Sequence, residues 1–266
     1  MAVAGSRVGP NADVEHPGLA IGMMGMYIFL ASEVMFFGSL FAMYFYLFGS
    51  HPFGWPPQGT IPVDWWPIPT INTFILLSSG ITCHFALDAI SHGGRLQGRT
   101  RLVAAVIMAL FLVAMLVTGV LALYTGNPAA PPLAFVAALF ALFSILAMLG
   151  VGPFARGRAT FVALLVATIL LGAAFEFGQV YEFLTAKIQL AGLNQFSSAF
   201  FTMTGFHGLH VMGGLIFLLL ILARVLRGQF DSKHHVGVAA ATLYWHFVDV
   251  VWIFLFSILY FAVTAV

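Results

Sequence analysis

Residues 102–124 read LVAAVIMALFLVAMLVTGVLALY, 23 residues without one ionisable side chain. A helix crossing the hydrocarbon core of a bilayer needs about 20 predominantly apolar residues, so this stretch predicts a transmembrane helix. An outer-membrane barrel would instead alternate polar and apolar residues along short strands. The rest of the chain agrees: of its 266 residues 61% are hydrophobic and 7% charged, whereas a soluble domain carries about 25% charged residues. So few charges cannot coat a surface in water, and a soluble globular enzyme is excluded.

Working outward from that stretch, seven spans are predicted, at about 19–48, 70–91, 102–125, 132–151, 158–184, 197–225 and 237–263. The expected fold is an all-α membrane protein, a seven-helix transmembrane bundle forming one integral membrane domain over residues 1–266. The first apolar run is too long for a signal-peptide core and lacks a small-residue cleavage site, so it reads as a retained helix. Of the ten basic residues, nine (Arg7, Arg95, Arg99, Arg101, Arg156, Arg158, Arg224, Arg227 and Lys233) fall on one side of these spans and only Lys187 on the other. The positive-inside rule then places the N-terminus in the cytoplasm and the C-terminus outside.

The outer segment 49–69, GSHPFGWPPQGTIPVDWWPIP, is too proline-rich for a helix. Its Trp55, Trp65 and Trp66 suit the headgroup region as interfacial anchors, with partner docking as the other reading. Formal net charge is +1 with no basic tract, so nothing points to nucleic acid. Cys83 is the only cysteine, which excludes a disulfide frame and a thiolate cluster. His51, His92, His234 and His235 fall in loops, where they are expected to meet water.

An ionisable group at membrane depth is costly and calls for an explanation. Glu33 lies near the middle of the first span. The fifth carries Glu176, Gln179 and Glu182 near one face. Thr204, His207 and His210 follow one another at intervals of three in the sixth span; Thr242, His246 and Asp249 share a face of the seventh. The second adds Asn72, Ser78, Ser79, Thr82, His84 and Asp88. The third and fourth spans hold no ionisable residue and read as a lipid-facing hairpin at about 102–151. Four chemistries compete for this polar set. His207 or His210 with His246 would suit a bis-histidine haem b, and the three histidines with a carboxylate would suit a metal. Glu33 would suit a proton carrier, although the carboxylates form no continuous chain across the membrane. The fourth reading is structural: polar groups satisfy one another between helices and fix their register. It accounts for polar stripes set opposite Gly205 and Gly208, and is preferred from the residues alone.

At these same residues the sequence resembles subunit III of the haem–copper terminal oxidases. FLASEVMFF around Glu33, INTFILLSSG from Ile71, GAAFEFGQVYEF from Gly172, FFTMTGFHGLHVMGG from Phe200 and LYWHFVDVVWIFLF from Leu243 occur in that family's order. The resemblance covers the first, second, fifth, sixth and seventh spans. It implies a subunit that binds no haem or metal itself, packs on catalytic subunit I beside subunit II and other respiratory subunits, holds structural phospholipid and supports proton uptake. Haem and copper are then expected in the partner subunits. Glu33 matches the family's buried glutamate; Asn72, Gln179, Glu182, His207, His210, Trp245, His246 and Asp249 match its other polar landmarks.

Two departures stand out. Long family members carry two extra helices ahead of the glutamate helix, whereas here the extra pair interrupts a core made of 19–91 and 158–263. The run AGLNQFSSAFF also replaces the family's Asp-Gly-x-Tyr-Gly-Ser pattern. The expectation is an accessory subunit of an oxygen reductase reducing oxygen to water, with cytochrome c as the favoured electron donor over a quinol. Eight Arg against two Lys suggest a GC-rich bacterial genome and hence a bacterial inner membrane. The alternatives are a haem b anchor passing electrons to quinone, and the related subunit of a nitric oxide reductase.

Overall fold

The computed structural model describes residues 17–51, 54–58, 60, 64–92, 98–124, 126–150, 157–185, 194–232 and 234–264. They form seven long apolar helices: α1 Pro17–Gly49, α2 Ile68–Ser91, α3 Gly98–Tyr124, α4 Ala130–Leu149, α5 Gly157–Thr185, α6 Gln195–Leu226 and α7 Val236–Leu255. Each predicted span is present, and no strand occurs among the described residues. α1 and α6, at 33 and 32 residues, are each about 50 Å long by helical rise. That exceeds a hydrocarbon core of about 30 Å, so tilted or protruding helices follow.

Local chemistry sets the ends. Proline stands in the first turn of α2 and of α4, where its missing N–H has no intrahelical acceptor to lose. Asn194 caps α6 by accepting from the Ser197 N–H at 2.8 Å, and its amide donates to the Thr60 hydroxyl, tying the outer loop to the helix. Gly150 closes α4 at φ +67°, a left-handed conformation that favours glycine. Arg158, at the start of α5, donates at 2.6 Å to the Val225 carbonyl in the last turn of α6, a favourable place for a cation.

The centre of the bundle is made by α2, α5, α6 and α7, with α2 and α5 forming the most extensive pair. Trp245 and Trp252 of α7 are fully buried. Gly172 of α5 and Gly214 of α6 lie against the Trp245 ring, where an added Cβ would approach its carbons to 2.7 and 2.8 Å. Small residues thus let three helices close on one indole. Past Leu255, α7 runs into a π-helical stretch, Phe256–Phe261, and the Tyr44 hydroxyl donates to the Ile258 carbonyl inside it at 3.4 Å.

α3 and α4 pack on each other as a hairpin, with Gly119 facing the Ala134 methyl. α4 turns an alanine face inward (Ala130, Ala134, Ala137, Ala141), while Leu102, Val106, Leu110 and Val113 of α3 stay bare. The least covered helix is α1: only 17% of its most apolar stretch is buried, against 61% for α2. Its contacts are chiefly with α7 and α6, and Gly22 meets Val236 at the start of α7.

Several loop expectations are corrected. Trp55 is not an interfacial anchor: it is 8% exposed, donates to the Tyr44 hydroxyl at 3.0 Å and meets Phe196 edge to face. Trp65 remains exposed. The loop histidines do more than meet water. His51 is half-buried and donates to the Leu47 carbonyl, while His92 and His234 stand 2.9 and 3.3 Å from Asp88 and Asp231. His235 bonds Ser91, joining the ends of α2 and α7.

Candidate functional site

The polar side chains singled out from the sequence divide into three clusters. In the first, the Glu33 carboxylate of α1 lies 2.9 Å from His210 Nε2 of α6. Nδ1 of the same ring donates to the Phe206 carbonyl at 2.7 Å, since a carbonyl can only accept. Nε2 therefore either donates to an ionised Glu33 or accepts from a protonated one. The pair holds one proton between its two groups and has no net charge in either form. Phe36 and Phe37 flank the imidazole, and the Tyr244 hydroxyl of α7 donates to the His210 carbonyl at 2.9 Å.

The second cluster joins α2, α5, α6 and α7. Asn72, Gln179, Glu182 and His207 are all buried. The Tyr260 hydroxyl donates to Glu182 Oε1 at 2.6 Å. His207 stacks on Trp252 with ring centres 5.2 Å apart and meets Phe175 edge-on. Trp252 donates in turn to the Thr73 hydroxyl at 3.0 Å. Gly178 lies flush against the Asn72 amide, and Gly208 faces the Glu176 carboxylate. Gly205 differs from expectation, for its open face meets Phe183 rather than a polar stripe. Among the described residues, both nitrogens of His207, both amide atoms of Asn72 and of Gln179, and one oxygen each of Glu176 and Glu182 lack a hydrogen-bond partner. Buried polar groups of that number call for internal water.

The third cluster lies between α2 and α7. His246 Nδ1 stands 3.4 Å from Asp249 Oδ2, and Asp249 rests on Gly80, where no side chain fits. Trp245 donates to the Ser79 hydroxyl at 2.9 Å. Nearby, the Thr82 and Thr168 hydroxyls meet 2.8 Å apart and link α2 to α5, while Cys83 Sγ lies 3.6 Å from the Thr242 hydroxyl.

Sequence reasoning missed Tyr244, Trp252 and Tyr260 as members of these clusters. The signal was present: a tyrosine or tryptophan deep in an apolar helix brings a polar tip that needs a partner. Among the described residues, no three His, Cys, Asp or Glu side chains gather as a metal ion would require. Chemically, then, the clusters bond helix to helix and hold protons.

The second cluster yields a direct expectation. Tyr260→Phe removes the donor to Glu182 and leaves that buried carboxyl without its hydroxyl partner. An unsatisfied buried group costs about 1–3 kcal/mol. Thermal unfolding in detergent should show a lower midpoint for Tyr260→Phe and a partial recovery when Glu182→Leu is added. A midpoint equal to that of the unaltered chain would remove this bond from the account.

Comparison with known proteins follows the same helices. A family model described as cytochrome c oxidase subunit III matches residues 5–129 and 153–264, leaving between them a stretch that holds α4. Cytochrome c oxidase subunit 3 of Thermostichus vulcanus is 34% identical over 257 residues, covering 96% of this chain and 94% of that protein. The protein of the same name from Drosophila melanogaster is 32% identical over 263 residues, 96% of this chain and 75% of its own length. That of Rattus norvegicus is 30% identical over 260 residues, covering 96% and 74%. With every helix that carries the polar clusters inside the match, the chain belongs to the cytochrome c oxidase subunit III family.

Proposed function

We propose that this chain is an accessory integral subunit of a proton-pumping haem–copper oxygen reductase, with cytochrome c as electron donor. It packs on catalytic subunit I beside subunit II, holds phospholipid between its helices, supports proton uptake and carries no redox centre. The observation that carries this reading is His210. One ring nitrogen donates to Phe206 and the other meets Glu33, so neither is left to ligate iron. His207, packed against Trp252 and Phe175, and His246, beside Asp249, fit the same structural use. The distribution of basic residues supports a cytoplasmic N-terminus and an outer C-terminus, and arginine-rich usage supports a bacterial inner membrane. The α3–α4 pairing and its lack of ionisable residues within the span support an inserted hairpin within a single membrane domain.

A reduced-minus-oxidised visible spectrum tests this reading. The tagged chain would be drawn from native membranes in mild detergent and measured before and after its partners are stripped. Haem should copurify and then leave with a larger subunit. Haem retained on the isolated chain would overturn the reading and make His207, His210 and His246 the ligands to replace.

A further inference from the structure

We propose that the groove between α2, α3 and α7 is a specific site for an anionic phospholipid, with its phosphate on Arg99 and an acyl chain running inward along the helices. The groove encloses about 720 Å³, within the range of about 300–1,000 Å³ usual for ligand sites. Its walls are Leu77, Ile81 and Phe85 of α2, Val103 and Ile107 of α3, and Val250 of α7. Such a surface takes a hydrocarbon chain and offers little to a polar ligand.

Its depth matches one leaflet. Leu77 lies 14 residues before the end of α2, or about 21 Å by helical rise. Ile107 stands eight residues beyond Arg99 on α3, or about 12 Å. Half a hydrocarbon core is about 15 Å. Arg99, in the first turn of α3, is exposed and borders the groove. Among the described residues no carboxylate lies within ion-pairing distance of it, although Glu33, Asp88, Asp231 and Asp249 have such neighbours. An unpaired guanidinium at the membrane rim above an apolar channel complements a phosphodiester carrying fatty chains. Asp249 and His246 border the groove from α7 and bond each other, so the apolar walls remain the surface offered to the chain.

This site lies apart from the Glu33–His210 pair and rests only on the membrane-embedded, lipid-holding part of the proposed function. The test is photolabelling of the purified complex with phosphatidylglycerol bearing a diazirine on its acyl chain, followed by peptide mapping. Phosphatidylcholine and a free fatty acid bearing the same diazirine serve as comparisons. Label from phosphatidylglycerol is expected in residues 77–85 and 103–107, about fivefold above that from phosphatidylcholine, the factor matching roughly 1 kcal/mol for one basic residue at a membrane surface. Arg99→Ala should bring the two lipids level. Val103→Trp, at a position 58% exposed, should reduce both by filling the groove. Equal labelling by the two lipids, unaffected by Arg99→Ala, would mean a gap filled by bulk lipid and overturn the proposal. Preferential labelling by the fatty acid, or no label here while the chain stays bound to its partners, would overturn it too. Copurification with a haem-bearing partner is read on the same sample, so failure of the lipid site and failure of the oxidase reading are told apart.

Discussion

Trp245→Ala is expected to be the most damaging single truncation in the bundle, lowering stability by about 3–5 kcal/mol, the usual range for losing a large buried aromatic. Three losses coincide at this residue. The indole is fully buried, its N–H donates to Ser79 across the α2–α7 contact, and Gly172 and Gly214 leave the space that the ring fills. Removing the ring leaves a cavity walled by helices that cannot collapse without breaking the Thr82–Thr168 contact. The same geometry makes the converse change informative. Gly172→Ala drives a methyl group into the rigid ring rather than the free end of a flexible chain, and overpacking of this kind costs about 1–3 kcal/mol. Combining Gly172→Ala with Trp245→Phe should recover part of that loss, because the smaller ring withdraws from the new methyl. Thermal unfolding of the four proteins in one detergent reads the result. Strict additivity of the two changes would show that Gly172 and Trp245 are not in steric contact.

The helices were legible because each span is a simple statistical object, a long apolar run bounded by proline, glycine or arginine. Which residues face inward was harder to read. A membrane helix surrounded by lipid has no polar side to mark its outer face, so α1 reads much like α2, yet the first is mostly bare and the second mostly covered. Polar residues restore the signal. Glu33, Gln179, Glu182, His207, His210 and Asp249 were picked out by their cost in hydrocarbon, and each lies on a contact between helices. Their grouping was not legible. Counting inward from helix ends gives depth alone, and depth suggested one polar layer, whereas rotation about each helix axis separates three clusters. Trp55 shows the matching limit outside the spans. A tryptophan near a membrane surface is consistent with anchoring or packing, and only the adjacent Tyr44, His51 and Phe196 decide for packing.

Glu33 and His210 should behave as one unit in a double-mutant cycle. Glu33→Leu leaves the imidazole facing hydrocarbon with one ring nitrogen unpartnered, and His210→Leu leaves the carboxyl group alone. An ionisable side chain without its partner near a helix centre costs about 2.5–3.5 kcal/mol on insertion scales. Each single change should therefore weaken the hold of α1 on α6 and α7. The double change places two apolar residues where a pair with no net charge stood, and should return most of the loss, as replacing a buried ion pair by hydrophobic residues often does. Detergent stability of the purified complex measures this part. Turnover and protons moved per electron measure a second, separable part. If the pair only joins helices, the double variant restores stability and activity together. If its proton is exchanged with the path serving subunit I, the double variant restores stability while proton uptake stays slow, because neither leucine can carry a proton. Additive losses in stability would show the two side chains to be independent. Full turnover and unchanged proton stoichiometry in Glu33→Leu would remove proton uptake from the role of this carboxylate.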